Sequence, residues 1–132
     1  MSLLPKIFII DDDMLFVFLT KKMIQTIGFT ADITEFQDGL EGLEHLKKIS
    51  SQKEQLPDLI FLDLNMPVMD GWEFVEEFKT IQPDLAKKVK LYIFSSSISP
   101  YDIERAKELS VVDDFIIKPL TQDKFMNIMQ DA

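Results

Sequence analysis

The sequence predicts an α/β fold in which a parallel sheet of five strands is covered by helices on both faces. Short apolar runs rich in β-branched and aromatic residues alternate with stretches of helical periodicity, the alternation occurs five times, and no repeat or low-complexity linker interrupts it. Right-handed crossovers between parallel strands distribute the helices over both faces. With 132 residues, 46% of them hydrophobic, we expect one domain over residues 1–132.

The first two strand-helix units have clear boundaries. Lys6 to Ile10 is apolar after its first residue, which is typical of a strand buried on both faces. A helix is predicted from about Met14 to Ile27, because apolar side chains recur at helical spacing and a glycine follows. A weaker strand, Phe29 to Phe36, precedes a second helix, which Asp38 caps and which runs to Ile49.

The remaining three units follow the same plan. Their predicted strands are Leu59 to Leu62, Lys90 to Phe94 and about Asp114 to Ile117. Their predicted helices are Gly71 to Ile81, Pro100 to Leu109 and about Thr121 to Gln130. Open sheets of this kind bind ligands beyond the carboxyl ends of their strands, so the residues at those ends are the candidates for a functional site.

The composition restricts the chemistry. Fourteen Lys and Arg against 23 Asp and Glu give a formal charge of -9, which repels nucleic acid. There is no cysteine and His45 is the only histidine, so the usual zinc ligand sets are absent and oxygen ligands remain. No apolar run approaches the ~20 residues of a membrane span, and the N-terminus does not resemble a signal peptide. We therefore expect a cytoplasmic protein without nucleic-acid binding or membrane insertion.

Acidic, hydroxyl and amino side chains follow four of the five strands. They are Asp11, Asp12 and Asp13 after the first strand, Asp63 after the third, Ser95 after the fourth and Lys118 after the fifth. If the strand order is 2-1-3-4-5, the first and third strands are neighbours, and Asp11, Asp12 and Asp63 converge. Like charges a few Å apart repel by about a kcal/mol or more, so this cluster is expected to bind a cation. Hard oxygen ligands favour Mg²⁺, with Mn²⁺ as the alternative.

The residues around this predicted metal site suit phosphoryl transfer, which needs an in-line nucleophile and neutralisation of the equatorial oxygens. Asp63 could attack while the cation and Lys118 hold the negative charge, and Ser95 would hold a third oxygen. The bond between Lys118 and Pro119 can adopt the cis form and aim the lysine. Asp13 is expected to cap the first helix instead of binding the metal.

Four motifs, each at a strand end, resemble the receiver domains of two-component response regulators. They are Ile9-Ile-Asp-Asp-Asp13, Phe61-Leu-Asp-Leu-Asn-Met-Pro67 with Met69-Asp-Gly71, Phe94-Ser95-Ser96, and Phe115-Ile-Ile-Lys-Pro119. The match spans essentially the whole chain. The resemblance implies a flavodoxin-like receiver fold, doubly wound, with five parallel strands in the order 2-1-3-4-5.

By position, the resemblance also implies a role for each acidic and basic residue. Asp63 would be the phosphoacceptor. Asp11 and Asp12 would hold Mg²⁺ together with Asp63 and the backbone carbonyl of Asn65. Lys118 would bind the phosphoryl group.

Further roles implied by the resemblance concern switching. Ser95 would be the switch hydroxyl, and Phe115 would occupy the position of the switch aromatic, where many members carry tyrosine. Asn65 and Ser97, two residues beyond the acceptor and the switch hydroxyl, are candidates for controlling the lifetime of the acyl phosphate.

The implied partners are proteins. A histidine kinase or a histidine phosphotransfer protein would dock near the first helix and donate from phosphohistidine, and a downstream protein would read the face formed by the fourth helix and fifth strand. The stretch after Lys118 has room for one helix, so we expect a stand-alone regulator of the chemotaxis or phosphorelay type. We expect a monomer or a weak dimer linked to phosphorylation. Such a chain is a phosphoacceptor that assists its own phosphorylation and dephosphorylation, not a classical enzyme.

Two other functional classes remain open. A phosphatase similar to haloacid dehalogenases would use Asp11, because Asp11 and Asp13 fit a D-x-D pattern after the first strand, although Leu15 departs from that pattern and Asp63 would have no role. A pseudo-receiver would keep the fold as a binding module without phosphorylation, although the full set of acid, hydroxyl and lysine side chains argues against it.

Overall fold

In a computed structural model of the chain, which describes residues 4–66, 68–96 and 99–131, strands and helices alternate along the sequence. The strands are β1 (Lys6–Ile10), β2 (Asp32–Phe36), β3 (Leu59–Asp63), β4 (Lys90–Ser95) and β5 (Asp114–Ile117). The helices are α1 (Met14–Thr26), α2 (Gly39–Lys48), α3 (Gly71–Ile81), α4 (Pro100–Glu108) and α5 (Gln122–Asp131), with a 3-10 turn at Gln82–Asp84. None of these described helices combines the length and apolar character that crossing a membrane requires.

All the strand pairs are parallel, and the strand order is β2-β1-β3-β4-β5. The predicted fold class and strand order are therefore confirmed. Most predicted boundaries agree with the structure within one residue. The exception is β2, which was predicted from Phe29 and begins at Asp32. Phe29 donates its backbone N–H to the carbonyl of Ile24 at 3.1 Å, so the chain is still leaving α1 at this residue and cannot yet pair with β1.

The core forms two layers, one on each face of the sheet. Side chains alternate along each strand, so β1 contributes Phe8 and Ile10 to one layer and Ile7 and Ile9 to the other. The first layer packs beneath α2, α3 and α4, and the second beneath α1 and α5. Because helices cover both faces, apolar side chains are required on both, which explains the continuous apolar runs in the sequence.

The end of β3 packs closely against the start of α3. Gly71 donates its N–H to the carbonyl of Leu64 at 2.8 Å, and a Cβ on Gly71 would lie only 2.7 Å from the carbonyl oxygen of Asp63. Asp70 caps the helix in a capping box with Glu73. The end of β3 is therefore held rigidly beside the first turn of α3.

Candidate functional site

Three carboxylates meet at the carboxyl ends of β1 and β3. Asp11 follows β1, Asp63 is the last residue of β3, and the two strands are paired. One carboxylate oxygen from each of Asp11, Asp12 and Asp63 lies within 4.8 Å of the other two. Asp11 and Asp63 are buried, with 2% and 6% of their surfaces exposed, whereas Asp12 is exposed. The predicted convergence of these three acids is confirmed.

Backbone hydrogen bonds fix the loop that carries the first of these acids. Asp11 donates its N–H to the carbonyl of Phe36 at 3.0 Å, and its Oδ1 accepts the N–H of Asp13 at 2.9 Å. Asp13 Oδ1 in turn accepts the N–H groups of Leu15 and Phe16, both at 3.1 Å. Asp13 is therefore the N-cap of α1, as predicted.

Lys118 faces the acids from the end of β5. Its Nζ lies 2.8 Å from Asp11 Oδ2 and 3.2 Å from Asp63 Oδ1, and the following peptide bond to Pro119 is cis. The same Nζ lies 4.2 Å from the centroid of the Phe16 ring. The contact between Lys118 and Phe16 was not predicted, because an aromatic residue on a predicted helix carries no signal of what its ring contacts.

The remaining predicted site residues lie on different elements of the fold. Ser95 is the last residue of β4, is 1% exposed, and accepts the N–H of Lys118 on its carbonyl at 2.8 Å. Asn65 is exposed in the loop after β3. Phe115 is half-buried on β5 and lines a groove between β5 and α4. Ser97 lies outside the described residues.

Burial dominates the electrostatics of the pocket. Desolvation, with the neighbouring charge of Asp11, raises the pKa of Asp63 to about 6, although Lys118 partly opposes this effect. Desolvation likewise raises the pKa of Asp11. Burial would lower the pKa of Lys118, but its hydrogen bond and charge attraction to Asp11, together with Asp63, outweigh burial and raise the pKa. The carboxylates are thus poorly neutralised by the lysine.

The pocket fits a divalent cation. Among the described residues, Asp11 Oδ2 is buried and has no hydrogen-bond partner apart from its ion pair with Lys118. The oxygens of Asp11, Asp12 and Asp63 are hard donors within reach of one ion, which is the ligand type that Mg²⁺ and Mn²⁺ prefer. These three side chains would hold the metal.

Residues 7–130 match the family model of the response regulator receiver domain. A two-component response regulator from Cytophaga hutchinsonii superposes with a TM-score of 0.87 at 29% identity, covering 97% of this chain and 96% of that one. The phosphorylated cyanobacterial phytochrome response regulator RcpA superposes with a TM-score of 0.75 at 27% identity, covering 97% and 90%.

Sequence relatives differ in how much of their length this chain spans. The chemotaxis protein CheY of Listeria monocytogenes is 29% identical over 127 residues, which cover 96% of this chain and 97% of CheY. By contrast, the chain spans 14% of the sensor histidine kinase CheAY of Helicobacter pylori, with 30% identity over 121 residues that cover 92% of this chain. The same type of domain therefore occurs both nearly alone and within much larger proteins.

Proposed function

Because the chain belongs to the response regulator receiver family, we propose that it acts as a stand-alone phosphoacceptor, in which Asp63 takes a phosphoryl group from a phosphohistidine donor in a reaction that requires Mg²⁺. One observation carries this proposal. The buried carboxylate of Asp63 lies 3.2 Å from Lys118 Nζ, and its oxygen is within 4.8 Å of oxygens from Asp11 and Asp12. These contacts support the proposal, because it requires a nucleophile, a positive charge and metal ligands that act together.

In the proposed step, an Asp63 carboxylate oxygen attacks the phosphorus of the donor while the phosphorus–nitrogen bond breaks. The imidazole nitrogen of the donor keeps the bonding electron pair and takes a proton, and Asp63 becomes an acyl phosphate. Lys118, which is paired with Asp63 in the resting protein, would then neutralise a phosphoryl oxygen. Asp11, Asp12, Asp63 and the backbone carbonyl of Asn65 would hold Mg²⁺, which would supply further neutralisation of phosphoryl charge.

Exposed apolar residues beside the pocket support a protein donor. Met14, Leu15, Phe18 and Leu19 are each more than half exposed, and we call this set the α1 stripe. The α1 stripe begins one residue after Asp13, which caps the helix at the pocket. Contiguous exposed apolar side chains of this kind mark protein-binding surfaces, so a histidine kinase or phosphotransfer protein would dock here and present its histidine to Asp63.

The proposed output is a shift of α4 and β5. Ser95 ends the strand that pairs with β5, and its carbonyl accepts a hydrogen bond from the Lys118 N–H. A movement of Ser95 towards the phosphoryl group would therefore displace β5. Phe115 lines the groove between α4 and β5 and would turn inward as this groove changes. A downstream protein would read the rearranged face, with the two arrangements as pre-existing populations.

The test is phosphorylation of the purified chain with acetyl phosphate and Mg²⁺, followed by mass spectrometry of the intact protein and of its peptides. We expect one hydroxylamine-labile phosphoryl adduct on Asp63, lost in Asp63→Asn and retained in the matched control Asp84→Asn, which removes an exposed carboxylate outside the pocket. An adduct on Asp11 would favour the phosphatase alternative. A folded parent protein that forms no adduct would favour the pseudo-receiver.

A further inference from the structure

We propose that Phe16 is a positioning residue for Lys118, whose ammonium group it holds at the pocket through a cation–π contact. This inference rests on the proposed function. The Nζ of Lys118 lies 4.2 Å from the ring centroid of Phe16, well inside the ~6 Å over which a ring face attracts a cation. The same ammonium group lies 2.8 Å from Asp11 Oδ2 and 3.2 Å from Asp63 Oδ1. Lys118 thus contacts both carboxylates and a ring.

Burial makes this contact strong. The Lys118 side chain is 10% exposed and Phe16 is 8% exposed, so the ammonium group has lost most of the water that would otherwise compete with the ring. A cation–π contact gains strength when both partners are desolvated. An aliphatic side chain at position 16 would fill the same space but offer no negative ring face to the charge.

The ring itself is held from two directions. The backbone N–H of Phe16 donates to the capping carboxylate of Asp13 at 3.1 Å, which fixes the first turn of α1. The ring centroid lies 5.7 Å from that of Phe94, which in turn lies 4.9 Å from that of Phe61 in the same core layer. The Asp13 cap and the packed core therefore fix the Phe16 ring, and through it they help to position Lys118.

The contribution of Phe16 becomes larger in the state that reacts. In the resting pocket the two carboxylates attract Lys118 strongly. A divalent cation bound by Asp11 and Asp63 would neutralise part of that negative charge, so the carboxylates would hold the lysine less firmly. The ring face would be unaffected by this neutralisation. Phe16 would then keep the ammonium group at the pocket instead of in solvent.

The first test compares phosphorylation rates with acetyl phosphate at saturating Mg²⁺. We expect Phe16→Leu to slow phosphorylation about three- to tenfold and Phe16→Trp to restore most of the rate, because tryptophan has the strongest ring quadrupole. The control Phe125→Leu removes a fully buried ring of the same core layer on α5. It should lower the melting temperature yet leave the rate within about twofold of the parent.

Two measurements separate positioning from a structural role. In a Lys118→Ala background, Phe16→Leu should cause no further slowing, because the ring then has no cation to hold. Site-specific incorporation of mono-, di- and trifluorophenylalanine at position 16 should lower the rate progressively, since fluorine weakens the ring quadrupole while the ring keeps nearly the same size.

The outcomes that overturn the proposal are distinct. Equal slowing by Phe16→Leu with and without Lys118, or the same rate for all the fluorinated rings, would show that Phe16 only packs. A folded parent that takes up no phosphoryl group overturns the proposed function and, with it, this role. If the parent is phosphorylated and Phe16→Leu is phosphorylated at the same rate, only the role of Phe16 is overturned.

Discussion

The indole Nε1 of Trp72 donates a 3.2 Å hydrogen bond to Asp102 Oδ1 and thereby ties the first turn of α3 to α4. The guanidinium of Arg105, one turn further along α4, lies 4.6 Å from the centroid of the Trp72 ring. Helix α3 begins just after the loop that follows Asp63, and α4 borders the groove lined by Phe115. The link therefore joins the surroundings of the proposed acceptor to the helix proposed to move.

Replacement of Trp72 by phenylalanine tests this link. Trp72→Phe keeps a ring but removes the N–H donor to Asp102 and weakens the contact with Arg105, so we expect the free energy of unfolding to fall by about 1 kcal/mol. Urea unfolding followed by circular dichroism measures the change. Combined with Asp102→Ala, the loss should be smaller than the sum of the two single losses. Additive losses would show that the two residues are not coupled.

Loss of charge at position 63 should stabilise the metal-free fold. The pKa of Asp63 is raised to about 6 from 3.8, so between about pH 4 and pH 6 the folded state binds more protons than the unfolded state. Stability therefore falls as the pH rises through this window, and ionised Asp63 is unfavourable above it. We expect Asp63→Asn to be more stable than the parent at pH 7.5 without metal by roughly 1–3 kcal/mol, with the difference vanishing near pH 4.

Chemical unfolding at several pH values in the presence of EDTA measures this difference. The exposed substitution Asp84→Asn serves as the control and should show no comparable dependence on pH. An Asp63→Asn protein that is less stable than the parent at pH 7.5 would contradict the electrostatic account of the pocket.

Addition of Mg²⁺ should raise the melting temperature of the parent, because a ligand that binds only the folded state stabilises it by about 2.7 kcal/mol at 100 times its dissociation constant. EDTA should reverse the rise. Asp12→Asn should lose most of it, since one of the three clustered carboxylates is neutralised. Asp13→Asn should retain it, because asparagine caps a helix as well as aspartate does and Asp13 caps α1. Equal responses of the two variants to Mg²⁺ would contradict the ligand assignment.

Val68 carries backbone strain that a substitution can relieve. Its φ of 67° lies in the left-handed region, which a β-branched side chain rarely adopts, and its side chain is 75% exposed. We expect Val68→Asn to raise the free energy of unfolding by about 1 kcal/mol, because asparagine tolerates this conformation. Val68→Ala, which removes both γ methyl groups and keeps the Cβ, should raise the free energy of unfolding by less. Urea unfolding of the three proteins checks the order, and a destabilised asparagine variant would refute it.

Two glycines should differ in their tolerance of alanine. A Cβ on Gly71 would lie 2.7 Å from both the carbonyl oxygen of Asp63 and Leu64 Cα, which are backbone atoms that cannot yield. A Cβ on Gly42 would meet the Cδ1 of Ile10 at 2.6 Å, which is the end of a side chain that can rotate. We expect Gly71→Ala to cost about 3 kcal/mol or more and Gly42→Ala about 1 kcal/mol. Thermal and urea unfolding measure both losses of stability, and a larger loss for Gly42→Ala than for Gly71→Ala would contradict the prediction.

The sequence sufficed for the features that depend on periodicity and on chain direction. Apolar runs located the strands, and because parallel strands end at one edge, the acids after β1 and β3 could be placed together once the strand order was assumed. The start of β2 could not be predicted. Phe29 has a high propensity for strands, yet its N–H is hydrogen-bonded to the carbonyl of Ile24 at the end of α1.

Contacts between distant elements were also beyond the sequence. Phe16 and Lys118 are 102 positions apart, and Trp72 and Asp102 are 30 apart, so neither pair leaves a periodic signal. An aromatic residue on a predicted helix indicates packing and nothing more specific. Only the folded structure brings Phe16 to Lys118 and Trp72 to Asp102.

The crowding of buried acids in the pocket matters for anyone who engineers this protein. Asp11 and Asp63 each carry a charge that burial disfavours when no ion is bound. A laboratory selection for heat resistance would therefore enrich neutral side chains at these two positions. It would return stable variants that lack the proposed acceptor or one of the proposed metal ligands, so any such selection should hold both positions constant.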